Sequence, residues 1–266
     1  ATITFNTNNN DGYVEGIISG TTNIIKSGTG KVRFSGKNDY SGTTTVNAGT
    51  YRLVPYFTTS VNMPGNFINN GIVTYETGNN NNRPAIYLDG VITGNGTWNI
   101  TSDILPSTIH NNRLAFRGSM TSGGPINISN YGNLWLEGIN INSTSPINLD
   151  GINSRLRLYG STNAFLTTGV ITGSGTVDFA DGGGGQNLTL VINSGSNNMQ
   201  FDGLISNSGT STGPTTLNLK KEGSGNYTLT SNNTFSGTTN ISSGTLILQN
   251  NAPNPTNKTF NGMGKL

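Results

Sequence analysis

The chain has 266 residues, a formal net charge of +2 and no cysteine, and only 10% of its residues are charged. Ordinary soluble domains contain about 25% charged residues, so Gly, Asn, Ser and Thr must supply most of the polar surface. The small and scattered positive charge argues against nucleic acid as a partner, and the lack of cysteine excludes disulfides and thiolate metal sites. No apolar run approaches the roughly 18 residues of a membrane-spanning helix, so we predict a protein that is not embedded in a membrane.

Short β-strands are the predicted elements throughout the chain, because apolar residues alternate with polar ones. In "KVRF", for example, Val32 and Phe34 share one face of a strand while Lys31 and Arg33 share the other. Clusters of Gly, Asn and Ser separate the strands, and no stretch has the apolar period of an α-helix, so almost no α-helix is predicted. In chain order, the clearest strands are predicted within residues 1–5, 31–34, 133–138 and 154–160.

Two long stretches near opposite ends of the chain repeat each other. The sequence "GTGKVRFSGKNDYSGTTTVNAGTYRL" at residues 28–53 returns as "GSGNYTLTSNNTFSGTTNISSGTLIL" at residues 223–248, and the Lys26 that precedes the first copy matches Lys221. A second pair lies between them, with "GVITGNGTWNI" beginning at Gly90 and "GVITGSGTVDF" beginning at Gly169. Internal repeats of this kind indicate an architecture of stacked units.

A finer period lies inside each copy. "GKVRF" begins at Gly30 and "GTYRL" at Gly49, and the same spacing separates "GNYTL" at Gly225 from "GTLIL" at Gly244. A unit of about 19 residues is too short to bury its apolar face alone. The units must therefore stack on one another. The leucine-rich horseshoe is excluded because its L-x-x-L-x-L-x-x-N pattern is absent. We therefore predict an all-β parallel β-helix that forms a single domain over residues 1–266 and has roughly 13 rungs.

Low charge and abundant Asn agree with this architecture. Each rung of a parallel β-helix places like residues over like at a strand spacing of about 4.8 Å, where equal charges repel each other. Stacked Asn side chains can instead form hydrogen bonds from rung to rung, and Gly and Asn tolerate the positive φ angles of tight corners.

The two long copies resemble the passenger-associated transport repeat of bacterial autotransporters, with the approximate pattern G-x-G-x-L-x-L-x-G-x-N-x-Y/F-x-G-x-T-x-I/V-x-x-G-x-L. Both match along nearly their full length, although Ser231 stands where the pattern prefers Gly. The resemblance implies a right-handed parallel β-helix that is secreted or held at the cell surface. Passengers of this family often act as adhesins, stalks or aggregation modules, and a structural or adhesive rod is therefore the first functional hypothesis.

Neither end of the chain shows a polar capping unit, since it begins with "ATITF" and ends with "GMGKL". Repeat proteins normally need such caps, because an open rung exposes unpaired backbone groups. We expect rungs of separate copies to stack end to end, which would give a homo-oligomer or an open filament. The alternative is that both ends are truncation points.

A polysaccharide-cleaving enzyme or a polysaccharide-binding protein of the tail-fibre type is the competing hypothesis, because parallel β-helices also host lyases and glycosidases. Glycoside hydrolysis needs two nearby carboxylates, and Asp178 and Asp181 in "VDFADGGGG" are the best pair, although a flexible corner with Gly182–Gly185 is the favoured explanation. Calcium is a further candidate for the pair, but the G-G-x-G-x-D repeat of calcium-binding β-rolls is absent. His110 is the only histidine and cannot form a histidine-based metal site. We predict no enzyme, and no catalytic, cofactor-binding or metal-binding residue.

Surface glycans are the predicted partners if the rod binds anything. A stripe of arginines could attract acidic glycans, although ordinary solvated positions on an outer face are the favoured explanation. Aromatic residues could stack on sugars, although Trp98 fits the core equally well. A loop at residues 76–84 is a further exposed candidate. The arginines are Arg113, Arg117, Arg155 and Arg157, and the aromatic residues are Trp98, Trp135, Tyr131 and Tyr159.

Overall fold

A computed structural model shows that parallel β-strands coil around one elongated core, and no α-helix occurs in the residues that it describes. These results confirm the all-β parallel β-helix predicted from the sequence. The assignment of the whole chain to one domain stays a prediction. The structure describes residues 1–55, 59–77, 85–103, 113–137, 140–159, 164–179, 187–207, 216–249 and 260–261.

Three faces make up the coil, and we call them A, B and C in the order in which a turn visits them. Face B is the longest, with eleven parallel strands in one sheet. Its strands are β2 (Gly12–Val14), β4 (Lys31–Phe34), β6 (Thr50–Leu53), β9 (Ile72–Thr77), β12 (Thr97–Ser102), β14 (Ile126–Asn130), β17 (Ile147–Asp150), β20 (Ile171–Gly173), β23 (Met199–Phe201), β26 (Asn226–Leu229) and β28 (Thr245–Leu248).

Face A consists of a five-stranded and a six-stranded sheet, which Met120 joins through single bridges to Ile92 and Ile141. The five-stranded sheet contains β1 (Thr2–Asn6), β3 (Asn23–Ser27), β5 (Thr44–Val46), β8 (Phe67–Asn69) and β11 (Ile92–Thr93). The six-stranded sheet contains β16 (Asn140–Asn142), β19 (Phe165–Thr168), β22 (Asn187–Asn193), β25 (Thr216–Glu222), β27 (Thr239–Ile241) and β29 (Phe260–Asn261).

Face C has seven strands and begins later in the chain than the other two faces. In the first turns its place is taken by chain that forms no strand but still stacks, since the Ser35 amide donates to the Val14 carbonyl one turn below. Its strands are β7 (Val61–Met63), β10 (Ile86–Leu88), β13 (Leu114–Phe116), β15 (Asn133–Glu137), β18 (Arg155–Tyr159), β21 (Thr176–Phe179) and β24 (Leu204–Ile205).

The predicted count of thirteen rungs is not supported, because face B, the longest of the three, contains eleven stacked strands. The prediction extended the short spacing of the repeat copies to the whole chain. That spacing holds where Lys31 pairs with Thr50. Between the two copies the turns are longer, and the pairing of β12 with β14 places Asn127 over Asn99. Turns therefore lengthen outside the repeat copies, and fewer of them fit into the chain.

The core consists of inward side chains that lie above one another from turn to turn. Aromatic rings form a continuous column at its N-terminal end, with centroids 4.3 Å apart between Phe34 and Tyr51 and 5.1 Å apart between Phe67 and Trp98. Trp98 has no exposed surface, so it is a core residue and presents no ring to a sugar. Edge-to-face and offset ring contacts of this kind add about 0.5–1.5 kcal/mol each to the area that they bury.

Polar ladders follow the outside of the sheets, as predicted for stacked Asn residues. The Asn127 side chain donates a hydrogen bond of 3.0 Å to Asn99 on the turn below, and Asn218 donates one of 2.7 Å to Asn187. Each such bond links successive turns without placing a charge on the ladder.

One corner between faces C and A has glycines stacked above each other. If a Cβ atom were added to Gly65, Gly90 or Gly118, it would overlap the carbonyl oxygen of the glycine one turn below. The backbones of successive turns approach each other so closely at this corner that no side chain fits between them.

We expect Gly118→Ala to lower the free energy of unfolding by about 1–3 kcal/mol, the usual cost of overpacking, because the new methyl group would overlap the Gly90 carbonyl. Gly16→Ala is the matched control, since no atom lies within 4 Å of its added Cβ. Urea denaturation followed by circular dichroism measures both variants. Equal midpoints for the two would show that the corner does not constrain the coil.

Candidate functional site

The outer surface of face C carries a second packed layer of side chains. Tyr87, Ala115, Trp135, Arg157 and Asp178 pair in register on five successive strands, and they point outward because their neighbours on each strand fill the core. Outward residues are normally exposed, yet Trp135 retains only 3% of its surface and Asp178 only 1%. We call this set and the charged residues beside it the outer layer of face C.

Arginine side chains cover the aromatic rings of this layer. The Arg113 guanidinium lies 3.8 Å from the centroid of the Trp135 ring, and that of Arg117 lies 3.3 Å from the centroid of Tyr87. Arg113 also donates a hydrogen bond of 2.6 Å to the Tyr87 hydroxyl, and the indole of Trp135 donates one of 3.0 Å to Asn133. Cation–π contacts contribute about 0.5–2 kcal/mol each, so the ring faces that these arginines cover already have a partner.

Three carboxylates neutralise most of the positive charge. Arg117 pairs with Glu137 at 2.7 Å and with Asp89 at 3.8 Å, while Arg113 lies 3.6 Å from Glu137. Burial raises the pKa of the Asp89 carboxyl, and the nearby Arg117 charge acts in the opposite direction.

Asp178 forms the buried part of the same network. Its carboxylate lies 3.0 Å from the Arg157 guanidinium and 3.9 Å from that of Arg155. Arg155 keeps 41% of its side chain exposed, whereas Arg157 keeps 7%. The stripe predicted to attract acidic glycans therefore consists of four arginines with three carboxylates among them, and only the most exposed guanidiniums, Arg117 and Arg155, face solvent.

The remaining residues singled out in the sequence lie in different places. Tyr159 is half-buried and packs against the pair of Ala115 and Trp135, and Tyr131 is half-buried in the turn after β14. Asp181, Gly182–Gly185, His110 and residues 78–84 lie outside the described residues. The ion pairs of Asp178 were missed from the sequence, because the 21 residues that separate it from Arg157 give no local signal.

The two long repeats each bury a lysine in the same cage of carbonyl oxygens. Lys26 donates to Ser27 (2.7 Å), Gly28 (2.8 Å) and, on the next turn, Ala48 (3.1 Å). Lys221 donates at 2.7 Å to Glu222 and Gly223 and at 3.1 Å to Ser243. Neither lysine has exposed surface, and burial lowers the pKa of both amino groups. Each lysine thus fastens one turn to the next at a corner.

An asparagine forms the second shared clamp. The Asn38 side chain accepts from the Ile18 amide at 2.8 Å and donates to the Gly36 carbonyl at 3.0 Å. Asn233 repeats both bonds with Ile205 (2.8 Å) and Ser231 (2.7 Å). The sequence signal for these clamps was the matched Lys and Asn positions, but alternation alone does not reveal that an inward lysine is satisfied by carbonyl oxygens.

The copies differ at one core position. In the first copy the Tyr40 hydroxyl lies 2.6 Å from the Thr44 hydroxyl. In the second copy Phe235 replaces the tyrosine, and the buried Thr239 hydroxyl has no hydrogen-bond partner among the described residues. The clamps are therefore kept while the core between them varies.

Comparisons with known proteins match the same two stretches. The family described as Passenger-associated-transport-repeat matches residues 24–50 and 219–248, which include both lysine clamps and both asparagine clamps. No curated protein and no solved structure matches the chain. Within the described residues, no helix is long and apolar enough to cross a membrane.

Replacing Lys221 by Met should lower the free energy of unfolding by about 1–3 kcal/mol, the cost of leaving buried polar groups unpaired. Since burial lowers the folded-state pKa of Lys221 below 10.5, the unfolded chain binds more protons at this residue just below that pH, and the contribution of Lys221 to stability should rise as the pH approaches 10.5. The difference in unfolding free energy between wild type and variant should therefore grow with pH, and urea titrations of both from mildly alkaline pH up to the ordinary lysine pKa measure it, because the buried tyrosines, whose pKa is raised, affect both proteins alike. Lys220→Met is the control, because Lys220 forms a surface pair with Glu222, and equal losses in both variants would contradict the clamp.

Asp178→Asn should cost about 3–5 kcal/mol, because it removes the carboxylate charge that pairs with the buried Arg157 guanidinium. Glu76→Gln breaks the half-exposed pair with Arg52 and should cost at most about 1 kcal/mol. Chemical denaturation of both variants tests the contrast. A small effect at Asp178 would mean that the outer layer of face C adds little to stability.

Proposed function

We propose that this chain is a structural and adhesive rod of the cell surface, on the premise that two passenger-associated transport repeats in a parallel β-solenoid fit an autotransporter passenger. The observation that carries the proposal is the pair of matching lysine cages, built into one coil near opposite ends of the chain. The residues that the two repeats share connect one turn to the next. A repeat of this kind supports a structural role, in which the stability and length of the coil are what matter.

Secretion to the outside of the cell is part of the proposal, as the repeat suggests. The right-handed sense of the coil is also part of it, since parallel crossovers are right-handed in about 98% of cases. The proposal also includes stacking of separate copies, rung on rung, into oligomers or filaments, because an unpaired strand edge accepts a strand from another chain.

The paired charges on face C favour a structural role over catalysis. Of the best sequence pair for hydrolysis, Asp178 is engaged by two arginines, so its carboxylate is already committed to ion pairs. The outer layer of face C likewise binds its charges to one another. These features favour a durable surface over a reactive one.

Latex beads coated with the purified chain should adhere to cultured cells and to each other more than beads coated with serum albumin. The folded chain should also resist a protease that digests the urea-unfolded chain rapidly, because backbone hydrogen bonds hold the described turns to one another. Beads coated with the Lys26→Met/Lys221→Met variant, unfolded by mild urea, serve as the control. Adhesion no greater than that of albumin would overturn the adhesive role, while light scattering measures association of copies separately.

A further inference from the structure

The outer surface of the five-stranded sheet of face A is regular and free of charge. One column on it runs through Thr4, Ile25, Thr45, Ile68 and Thr93, which pair in register on five successive strands. All five side chains are β-branched, and such side chains are stiff at χ1. The column therefore presents a flat row of methyl and hydroxyl groups with little freedom to lose on binding.

A column of exposed amides runs beside the first. Asn47, Asn70 and Asn95 follow the ends of successive strands, and all three are exposed. Among the described residues, none of their side-chain amides has a hydrogen-bond partner. Each amide offers two donor hydrogens and an acceptor oxygen, so this column has unused hydrogen-bonding capacity on three successive turns.

Uncharged residues fill every outward position of this surface. Lys26, the charged residue within these strands, points inward into its carbonyl cage. Face B in the same turns carries Lys31, Arg33 and Arg52 instead. The outward positions of face A are Thr2, Thr4, Asn6, Asn23, Ile25, Ser27, Thr43, Thr45, Asn47, Asn66, Ile68, Asn70, Val91, Thr93 and Asn95.

The size and polarity of this surface restrict its partner. Five strands span about 19 Å and a row of five residues about 13 Å, which is far below the roughly 800 Å² per partner of a stable protein interface. A second copy of the chain is therefore a poor occupant. An acidic or basic polymer would find no opposite charge there. A neutral, extended polymer would meet methyl groups and amides that recur along one direction.

We propose that this surface of face A binds an extended, neutral, linear polysaccharide. The C–H faces of its sugar rings pack on the methyl groups of Ile25, Thr45 and Ile68, and its hydroxyl groups bond to the amides of Asn47 and its neighbours in the column. The partner class deepens the proposed adhesive function and rests on it. It also differs from the acidic glycans that the arginine stripe suggested.

Retention of the purified chain on microcrystalline cellulose and on chitin tests this proposal. The wild-type chain should bind at least one of these extended neutral polymers, and soluble heparin should not compete. The triple variant Asn47→Ala/Asn70→Ala/Asn95→Ala should lose at least about tenfold in affinity, since three hydrogen-bonding groups worth roughly two- to tenfold each are removed. Asn153→Ala/Asn197→Ala/Asn232→Ala makes the same change at exposed positions elsewhere and should bind like the wild type.

Three results would overturn the proposal: no retention on either polymer, equal loss in both triple variants, or displacement by heparin. Circular dichroism of each variant shows whether the coil is intact, and Thr45→Lys gives a second route, because it places a charge in the β-branched column and should weaken binding in a folded chain. If the coated beads adhere to cells while the chain ignores both polymers, the polysaccharide proposal fails and the adhesive function stands.

Discussion

Stacking in register is the constraint on which the rest of this structure depends. Every turn places its inward positions directly over those of the turn below. Whether a residue fits at a position therefore depends mainly on the residues at the same position one turn away. Apolar side chains satisfy this condition by packing into columns, as Phe34 does on Tyr51. Glycine satisfies it at the corners, where Gly118 lies against the Gly90 carbonyl and no Cβ atom fits. The low charge of the chain follows, because ladders of equal charges a strand spacing apart would repel.

Two exceptions show how the coil accommodates charge. Within the described part of the chain, no carboxylate pairs with either buried lysine, and three carbonyl oxygens from two successive turns surround each amino group instead. These hydrogen bonds offset the cost of desolvating the amino group, and they connect two successive turns. On the outside of face C the solution is the reverse, since arginines are paired with carboxylates and stacked on rings. In both cases the charge is used to hold neighbouring turns together.

Much of the fold could be predicted from the sequence, because alternation and repetition are local signals. Alternation predicts that Val32 and Phe34 point to the same side of their strand. Repetition predicts that Lys26 and Lys221 occupy equivalent positions. The length of the middle turns is not visible, since the chain between Trp98 and its partner Ile126 follows no fixed period. The same holds for the burial of Trp98, whose core position depends on which residues lie one turn away.

The candidate sites differ in predictability for the same physical reason. A salt bridge such as that between Arg157 and Asp178 requires the register of two strands, and a period that drifts from turn to turn hides it. The sequence alone therefore leaves open whether the arginines form a basic stripe for acidic glycans or ordinary solvated positions, whereas the structure places carboxylates from neighbouring strands among them. The uncharged surface of face A was overlooked for the opposite reason: Thr and Asn are so common in this chain that a row of them carries no signal until the register aligns them. Register decides which polar residues form hydrogen bonds within the coil and which, like Asn47, present their hydrogen-bonding groups at the surface.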